Sequence, residues 1–481
     1  MRKLKKWMSE RLFLTIALLL IQVLLLGAFF LFVEKKILFG SEILLIISLG
    51  AVLSIVNRSM NASLKLLLCI LILLFPWCGG CFYVLLGCHK KKHKRICFKT
   101  AHQPLSGIMQ YVLSYGDGKL CTKTETVYFD TTADLAEVLM KECGKAQSYI
   151  YLEEFILAEG KILSELLELL ENKVKEGVQV FVMADDLGCI RTLHRDFKKR
   201  MKEAGIHLHM YNPFSKWLSI KANTRDHRKM IVIDGMTAFV GGNNLADEYF
   251  NEVKKHGHWK DTAVMMKGDA AQHCAELFRS FWAKQTGDTL LETFIKNDEV
   301  TSDGFVIPFV DDAEDDESVS LNVHLMMIYD AERFIWFQSP YLILNDQIKE
   351  ALLLASKSGI DVRIIVPHLA DRWFVHEMSR SYYHELMDSG ISIYEYGPGF
   401  LHSKVVLSDK MGLCGTINMD DRSYLHHHEG GVLFAQSTVL DQMKSDFIRM
   451  FEQSILIKNC DRISIFVKMF RVFMNIWKPL L

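Results

Sequence analysis

Two stretches of this 481-residue chain decide its fold, His227-Arg-Lys229-Met-Ile-Val-Ile-Asp234 and His402-Ser-Lys404-Val-Val-Leu-Ser-Asp409. In each, histidine and lysine stand two apart, and an aspartate closes the motif after four intervening residues. Strand side chains alternate, so the imidazole and the ammonium share one face. The apolar run after them predicts a buried strand that presents both groups at its start. Gly241-Gly-Asn243-Asn244 follows the first copy and Gly415-Thr-Ile-Asn418 the second. A single H-x-K is an ordinary strand end, but two complete copies with matching Gly and Asn segments are not.

Outward from these motifs the chain repeats itself at a spacing of about 180 residues. Ala146–Glu154 aligns with Ala331–Ser339, Lys175–Val182 with Lys357–Ile364, and Ala204–Leu208 with Ser389–Ile393. Each pair reads as a helix end or turn followed by a buried strand. Strands alternating with helices predict two α/β lobes, at 121–305 (motif 222–249) and 306–481 (motif 397–424). The acidic run Asp311–Glu317 near their junction reads as a solvated linker.

Residues 1–100 carry 15 Lys/Arg and 3 Asp/Glu; the other 381 carry 41 and 54, a body of net −13. A basic, apolar front end on an acidic body predicts a membrane anchor over residues 1–88. It would contain two or three transmembrane helices, at about 12–33, 37–56 and 66–88. A basic juxtamembrane linker at 89–120 would follow. Lys90 to Lys99 is dense in cations and free of acids, which places the catalytic body on the cytoplasmic face and favours anionic lipid. The eleven cysteines form no framework, and Cys78-Gly-Gly-Cys81 reads as small-residue packing in a span. Arg462–Lys478 sets Lys468, Arg471 and Lys478 opposite Phe466, Met469, Phe470, Phe473, Ile476 and Trp477, the pattern of an interfacial helix.

Two histidines and two lysines converging from two lobes fit phosphoryl transfer through a covalent histidine. One imidazole attacks phosphorus and the other protonates the leaving oxygen. Lys229, Lys404, Asn243 and Asn418 hold the phosphoryl oxygens. Asp234 and Asp409 either orient an imidazole or neutralise a lysine, or else simply end a strand before Gly235 and Lys410. No metal or other cofactor is needed, because these groups supply the positive charge. The run His426–His428 invites a metal, yet neighbours on one strand face opposite ways.

At these residues the sequence resembles the phospholipase D superfamily, and within it the bacterial cardiolipin synthases. Asp185-Asp-Leu-Gly188, Asn223–Lys229, Gly241–Tyr249, Trp259–Thr262, Ser339-Pro-Tyr341, Gly399–His402 and Asp420–Ser423 carry the resemblance, from about residue 65 to the C-terminus. It implies two duplicated lobes related by a pseudo-two-fold, with the active site at their interface and His227, Lys229, Asp234, His402, Lys404 and Asp409 as its catalytic set. Glu248 and Glu429 would support that set. The implied reaction transfers a phosphatidyl group between two phosphatidylglycerols, as donor and acceptor, at a multi-pass cell-membrane enzyme. Three residues depart from the family pattern: Asp226 and His427 stand in place of Asn, and Thr416 in place of Ser. A hydrolytic phospholipase D would share the catalytic set, whereas a nuclease would need a basic face that this body lacks. Two intact motifs argue against an inactive scaffold.

Overall fold

The computed structural model describes residues 40–58, 62–74, 106–213, 224–290, 300, 303–459 and 464–478. Two compact units divide the chain at residue 90. In the first, the helices Gly40–Val56 and Ala62–Leu74 pack through Ile55, Leu68 and Ile72. Leu45, Ile46, Ile47, Leu53 and Leu66 stay exposed. Neither helix, nor any other described helix, is long and apolar enough to cross a membrane. The expected span 12–33, the rear of the span 66–88, the Cys78–Cys81 pair and the Lys90–Lys99 cluster lie outside the described residues.

The second unit holds two sheets with one strand order. In the first lobe β1 (Thr124–Phe129), β2 (Tyr149–Glu154), β3 (Gln179–Asp185), β4 (His207–Tyr211), β6 (Met230–Ile233), β7 (Thr237–Gly241) and β9 (Ala263–Gly268) run in the order β1-β9-β7-β6-β2-β3-β4. Two short strands, β5 (Arg225–Asp226) and β8 (His258–Lys260), stand apart. In the second lobe β10 (Phe305–Asp311), β11 (Phe334–Gln338), β13 (Asp361–Pro367), β14 (Ser392–Tyr396), β16 (Val405–Ser408), β17 (Met411–Gly415) and β19 (His427–Ala435) run β10-β19-β17-β16-β11-β13-β14. The edge strand β20 (Ser454–Leu456) follows β14, while β12 (Leu342–Ile343), β15 (Gly399–Leu401) and β18 (Met419–Asp420) lie off this path. In both sheets three neighbouring strands are parallel and the rest antiparallel. The sequence repeat is therefore a repeat of topology.

Helices cover the sheets, so the central strands are apolar on both faces. Ile162, Leu163, Leu166, Leu167 and Leu170 of the helix Lys161–Lys175 recur at helical spacing and are buried on one face of the first sheet. The cluster between the sheets takes residues from both lobes: Phe278, Trp282, Val240 and Val264 from the first, Val405, Val432, Phe434 and Phe447 from the second. Full burial of each such side chain contributes roughly 1.5–3 kcal/mol. This shared layer fuses the lobes into one body.

Three expectations need correction. Residues 107–120 are not all linker, because the helix Gly107–Tyr115 buries Ile108, Met109, Val112 and Leu113 against Ile307 and Phe309. The acidic run is not simply solvated: Asp311 is buried and accepts from Ser320 N at 2.8 Å, and Asp312 pairs with Lys284 at 2.6 Å. At the C-terminal helix Ile465–Trp477 two of the three basic residues turn inward, through Arg471–Glu377 at 2.9 Å and Lys478–Asp346 at 3.0 Å, while Lys468 stays exposed. Ile465, Phe466, Met469 and Val472 face outward, while Phe470 stacks on Trp373 with ring centroids 4.8 Å apart.

The motif aspartates sit at the far ends of β6 and β16, away from the histidines. Asp234 adopts a left-handed φ of 53° before Gly235, a turn pair such residues favour. Its carboxylate accepts from the backbone N–H groups of Gln147, Ser148 and Tyr149, each at 2.8 Å. Asp409 accepts from Glu332 N at 3.0 Å and Arg333 N at 3.1 Å. Both tie a β-hairpin to the start of its neighbour, so they are strand-ending residues that orient no imidazole. Asp234→Ala strands three N–H groups and should lower unfolding free energy by about 2–4 kcal/mol, read from the denaturation midpoint. An unchanged midpoint with abolished turnover would return this aspartate to the chemistry.

Candidate active site

Each lobe clips the other beside its histidine. The strand β5, just before His227, pairs with the head of β19, with Arg225 opposite His427 and Asp226 opposite His428. In the same way β15, just before His402, pairs with β8. The register continues one residue further: His227 N donates to His428 O at 2.9 Å, and His402 N to Lys260 O at 2.7 Å. The next residue along each partner segment is an acid. Glu429 lies 3.0 Å from His227 Nδ1 by both oxygens, and Asp261 Oδ2 lies 2.7 Å from His402 Nδ1. An ionised carboxylate only accepts, so each Nδ1 carries the proton and each Nε2 keeps its lone pair.

All four motif side chains come together. Lys229 Nζ donates to His227 O at 2.6 Å, and Lys404 Nζ to His402 O, while lying 2.7 and 3.1 Å from the ring nitrogens of His402. His227, Lys229, His402 and Lys404 are each 94% buried or more. Burial lowers the His227 imidazole to about 4, against the pull of Glu429 and with a push from Lys229 and Lys404. Burial, then Lys404, lowers His402 to about 4 against Asp261. Burial likewise brings Lys229 down to about 8 and Lys404 to about 7, with the acids opposing. Burial alone would raise the Glu429 carboxyl, but His227 and its hydrogen bond outweigh it and hold it ionised. Such a site is short of negative charge and gains by taking in an anion.

The remaining predicted residues divide. Asn243 is buried in a wall shared with Lys229 and Glu154. Asn418 is buried with one amide atom unpaired, and its N–H is bonded to Ser423 Oγ. Glu248 stands apart, half-buried and paired with Lys255 at 3.4 Å. Of the three departures, Thr416 donates its hydroxyl to Glu429, as Ser423 does at 2.7 Å. Asp226 does not act on His227, since its charge is taken up by Arg228 at 3.0 Å. His427 stands beside His227, ring centroids 5.3 Å apart, and accepts from Arg422 Nε at 3.0 Å.

Sequence reasoning found Glu429 but not Asp261. The signal lies in the repeat: each acid stands at the mouth of the strand that lines the lobe interface, β9 or β19. His227, His427 and Glu429 also present ligand atoms within 4.8 Å of one another, the one such triad among the described residues. These atoms are poor cation ligands as they stand. His227 Nδ1 and His427 Nε2 are engaged with Glu429 and Arg422, and Lys229 and Arg422 oppose a positive guest.

The chain matches the family model described as cardiolipin synthase, PLD-like domain, over residues 139–282 and 325–451. An uncharacterized protein of Streptococcus mutans is 35% identical over 431 residues, covering 84% of this chain and 94% of its own length. The cardiolipin synthase of Alkalihalophilus pseudofirmus is 30% identical over 437 residues, covering 85% and 86%. The crystal structure of phosphatidylserine synthase from Haemophilus influenzae superposes with a TM-score of 0.58 over 78% of this chain and 99% of its own. At 15% identity that likeness shows the fold alone.

The two carboxylates are the parts of this site that a sequence motif hides. Asp261→Asn and Glu429→Gln should each lower turnover by about 10²–10⁴-fold, because the amide no longer selects the Nδ1–H tautomer. Asp409→Asn should stay within severalfold of the unaltered protein. Equal losses for all three in a steady-state assay would contradict this division.

Proposed function

The chain belongs to the cardiolipin synthase, PLD-like domain family and is a phosphatidyltransferase, and we propose that it makes cardiolipin and glycerol from two phosphatidylglycerols. The pairing of each imidazole with the other lobe's carboxylate carries this reading, since it leaves two aimed Nε2 atoms beside two ammonium groups. In the first step His227 Nε2 attacks phosphorus, the P–O bond to glycerol breaks, and the leaving oxygen takes a proton that His402 Nε2 relays from the Lys404 ammonium 3.1 Å away. In the second, the free hydroxyl of another phosphatidylglycerol attacks the phosphohistidine, its proton passes to His402, and the P–N bond breaks. Lys229, Lys404, Asn243 and Asn418 hold the phosphoryl oxygens. One phosphodiester replaces another, so no nucleotide is consumed.

The division of roles rests on surroundings. His227 is fixed by Glu429, by Phe155 at 5.1 Å and by His427 at 5.3 Å between ring centroids, as a nucleophile needs. His402 has the Lys404 ammonium 3.1 Å from its Nε2, a source that can reload it with a proton. We further propose that residues 1–88, through two or three apolar stretches at about 12–33, 37–56 and 66–88, anchor the enzyme in the cell membrane with the body on the cytoplasmic side. The outward apolar rows of Gly40–Val56 and Ile465–Trp477 support contact with lipid.

Labelled phosphatidylglycerol should yield labelled cardiolipin and free glycerol; phosphatidic acid as sole product would make the enzyme a hydrolase. Both His227→Asn and His402→Asn should abolish turnover of phosphatidylglycerol. On a donor with a phenolate leaving group, which needs no proton, only His402→Asn should regain rate. Recovery by His227→Asn instead would reverse the roles.

The pH profile of kcat/KM reports the free enzyme. It should rise through about 4 as His227 gives up its proton, and fall through about 7–8 as Lys404 and then Lys229 lose theirs. A profile flat from pH 6 to 10 would remove the lysines from the charge-holding role.

A further inference from the structure

Arg422 carries a positive charge that makes no ion pair with a carboxylate among the described residues. It lies on the short helix Asp421–His426, largely buried, and spends its Nε–H on the neutral His427 at 3.0 Å. That leaves most of the guanidinium fork without an ion-pair partner among the described residues. Arg372, which leads into the helix Trp373–Ser381, is exposed and its guanidinium also lacks one. The two are close enough to feel each other's charge: burial lowers the proton affinity of Arg422, Asp420 raises it, Arg372 and Arg225 lower it again, and Asp185 raises it. Arg225 differs, since it has Asp185 at 3.6 Å and Asn212 O at 3.0 Å. Holding a part-buried guanidinium with no ion-pair contact of its own is costly unless an anion completes the site.

The place of this charge points to the anion. Arg422 is one imidazole removed from His227, through the ring of His427. The phosphoryl group in transfer is already served by Lys229, Lys404, Asn243 and Asn418. The acceptor brings a second phosphodiester, separated from the reacting phosphorus by one glycerol, and no group assigned so far meets its charge. Planar guanidinium forks match phosphate oxygens two at a time.

We propose that Arg422, assisted by Arg372, binds the phosphodiester of the acceptor lipid and so selects an anionic phosphoglycerol over water or free glycerol as the attacking alcohol. This rests on the phosphatidyl-transfer reading above. The bond-making step is unchanged: the acceptor hydroxyl forms the new P–O bond, the P–N bond to His227 breaks, and the proton goes to His402. The arginines hold the acceptor in line and exchange no proton.

The test uses the full chain in phosphatidylglycerol vesicles and measures two rates on one sample. Incorporation of labelled glycerol into phosphatidylglycerol reports transfer to a neutral acceptor, and cardiolipin formation reports transfer to an anionic one. Arg422→Gln and Arg372→Gln should each lower the ratio of cardiolipin formation to glycerol exchange by roughly tenfold or more, and Arg422→Lys should recover part of it. Added glycerol phosphate should accept the phosphatidyl group from the unaltered enzyme and lose that ability with Arg422→Gln. Arg372 is exposed, so its variant keeps the test open if Arg422→Gln does not fold. An unchanged ratio in the folded variants overturns the proposal, and so does an equal fall in both rates, which would assign the guanidinia to the donor phosphate. Absence of cardiolipin from the unaltered enzyme would instead remove the phosphatidyl-transfer reading.

Discussion

The chemistry depends on an exchange of carboxylates between lobes. Neither lobe can orient its own histidine: His227 needs Glu429 from the second lobe, and His402 needs Asp261 from the first. Backbone pairing of β5 with β19 and of β15 with β8 fixes the register in which these pairs meet. A slip of one residue would turn each acid to the opposite face of its strand. The site therefore exists only while the lobes stay fused, and the apolar layer of Phe278, Phe434 and Phe447 between them is as much a catalytic requirement as the histidines.

That fusion places ionisable groups where water cannot screen them. Burial is the first cause of the lowered proton affinity of His227, His402, Lys229 and Lys404, and their mutual repulsion adds to it. Glu429 and Asp261 oppose the trend without cancelling it. An arriving phosphodiester supplies negative charge at the point of greatest deficit, so the groups that bind it become better cations as it binds. The body as a whole is acidic, net −13 beyond residue 100. Attraction is thus confined to the cleft and its rim, which suits lipid phosphodiesters and not an extended polyanion.

How much of this was legible follows from what a sequence pattern can encode. The repeated H-x-K and the strands around it were readable because strand periodicity and apolar runs are local. The two α/β lobes and the convergence of His227, Lys229, His402 and Lys404 came from that signal, whereas Glu429 came only from the resemblance to the family. Asp261 was missed because its partner lies 141 residues away and only the pairing of β8 with β15 brings them together. Asp234 and Asp409 misled for the converse reason: a conspicuous motif position serves a turn, where a carboxylate accepts backbone N–H groups. Asp226, which stands in place of Asn beside His227, has its charge taken up by Arg228, a partner that sequence proximity alone does not reveal. The basic stretch before residue 120 concealed a core helix because nine residues are too few to stand out from a linker.

Duplication gives two equal halves, yet a two-step transfer needs one nucleophile and one proton carrier. The local departures supply the difference. Behind Glu429 stand two hydroxyls, of Thr416 and Ser423, and these leave the carboxylate little freedom to move with a proton. In the first lobe the place of Thr416 is taken by Gly242, where any side chain would strike Asp261 and come within 3.1 Å of the Lys404 chain. The missing side chain lets Lys404 lie against the ring of His402, whereas Lys229 reaches only the backbone carbonyl of His227. One histidine is thus braced by neutral hydroxyls and the other is joined to a titrating ammonium. A fold that repeats its strands can in this way hold two like imidazoles and still give them unlike work.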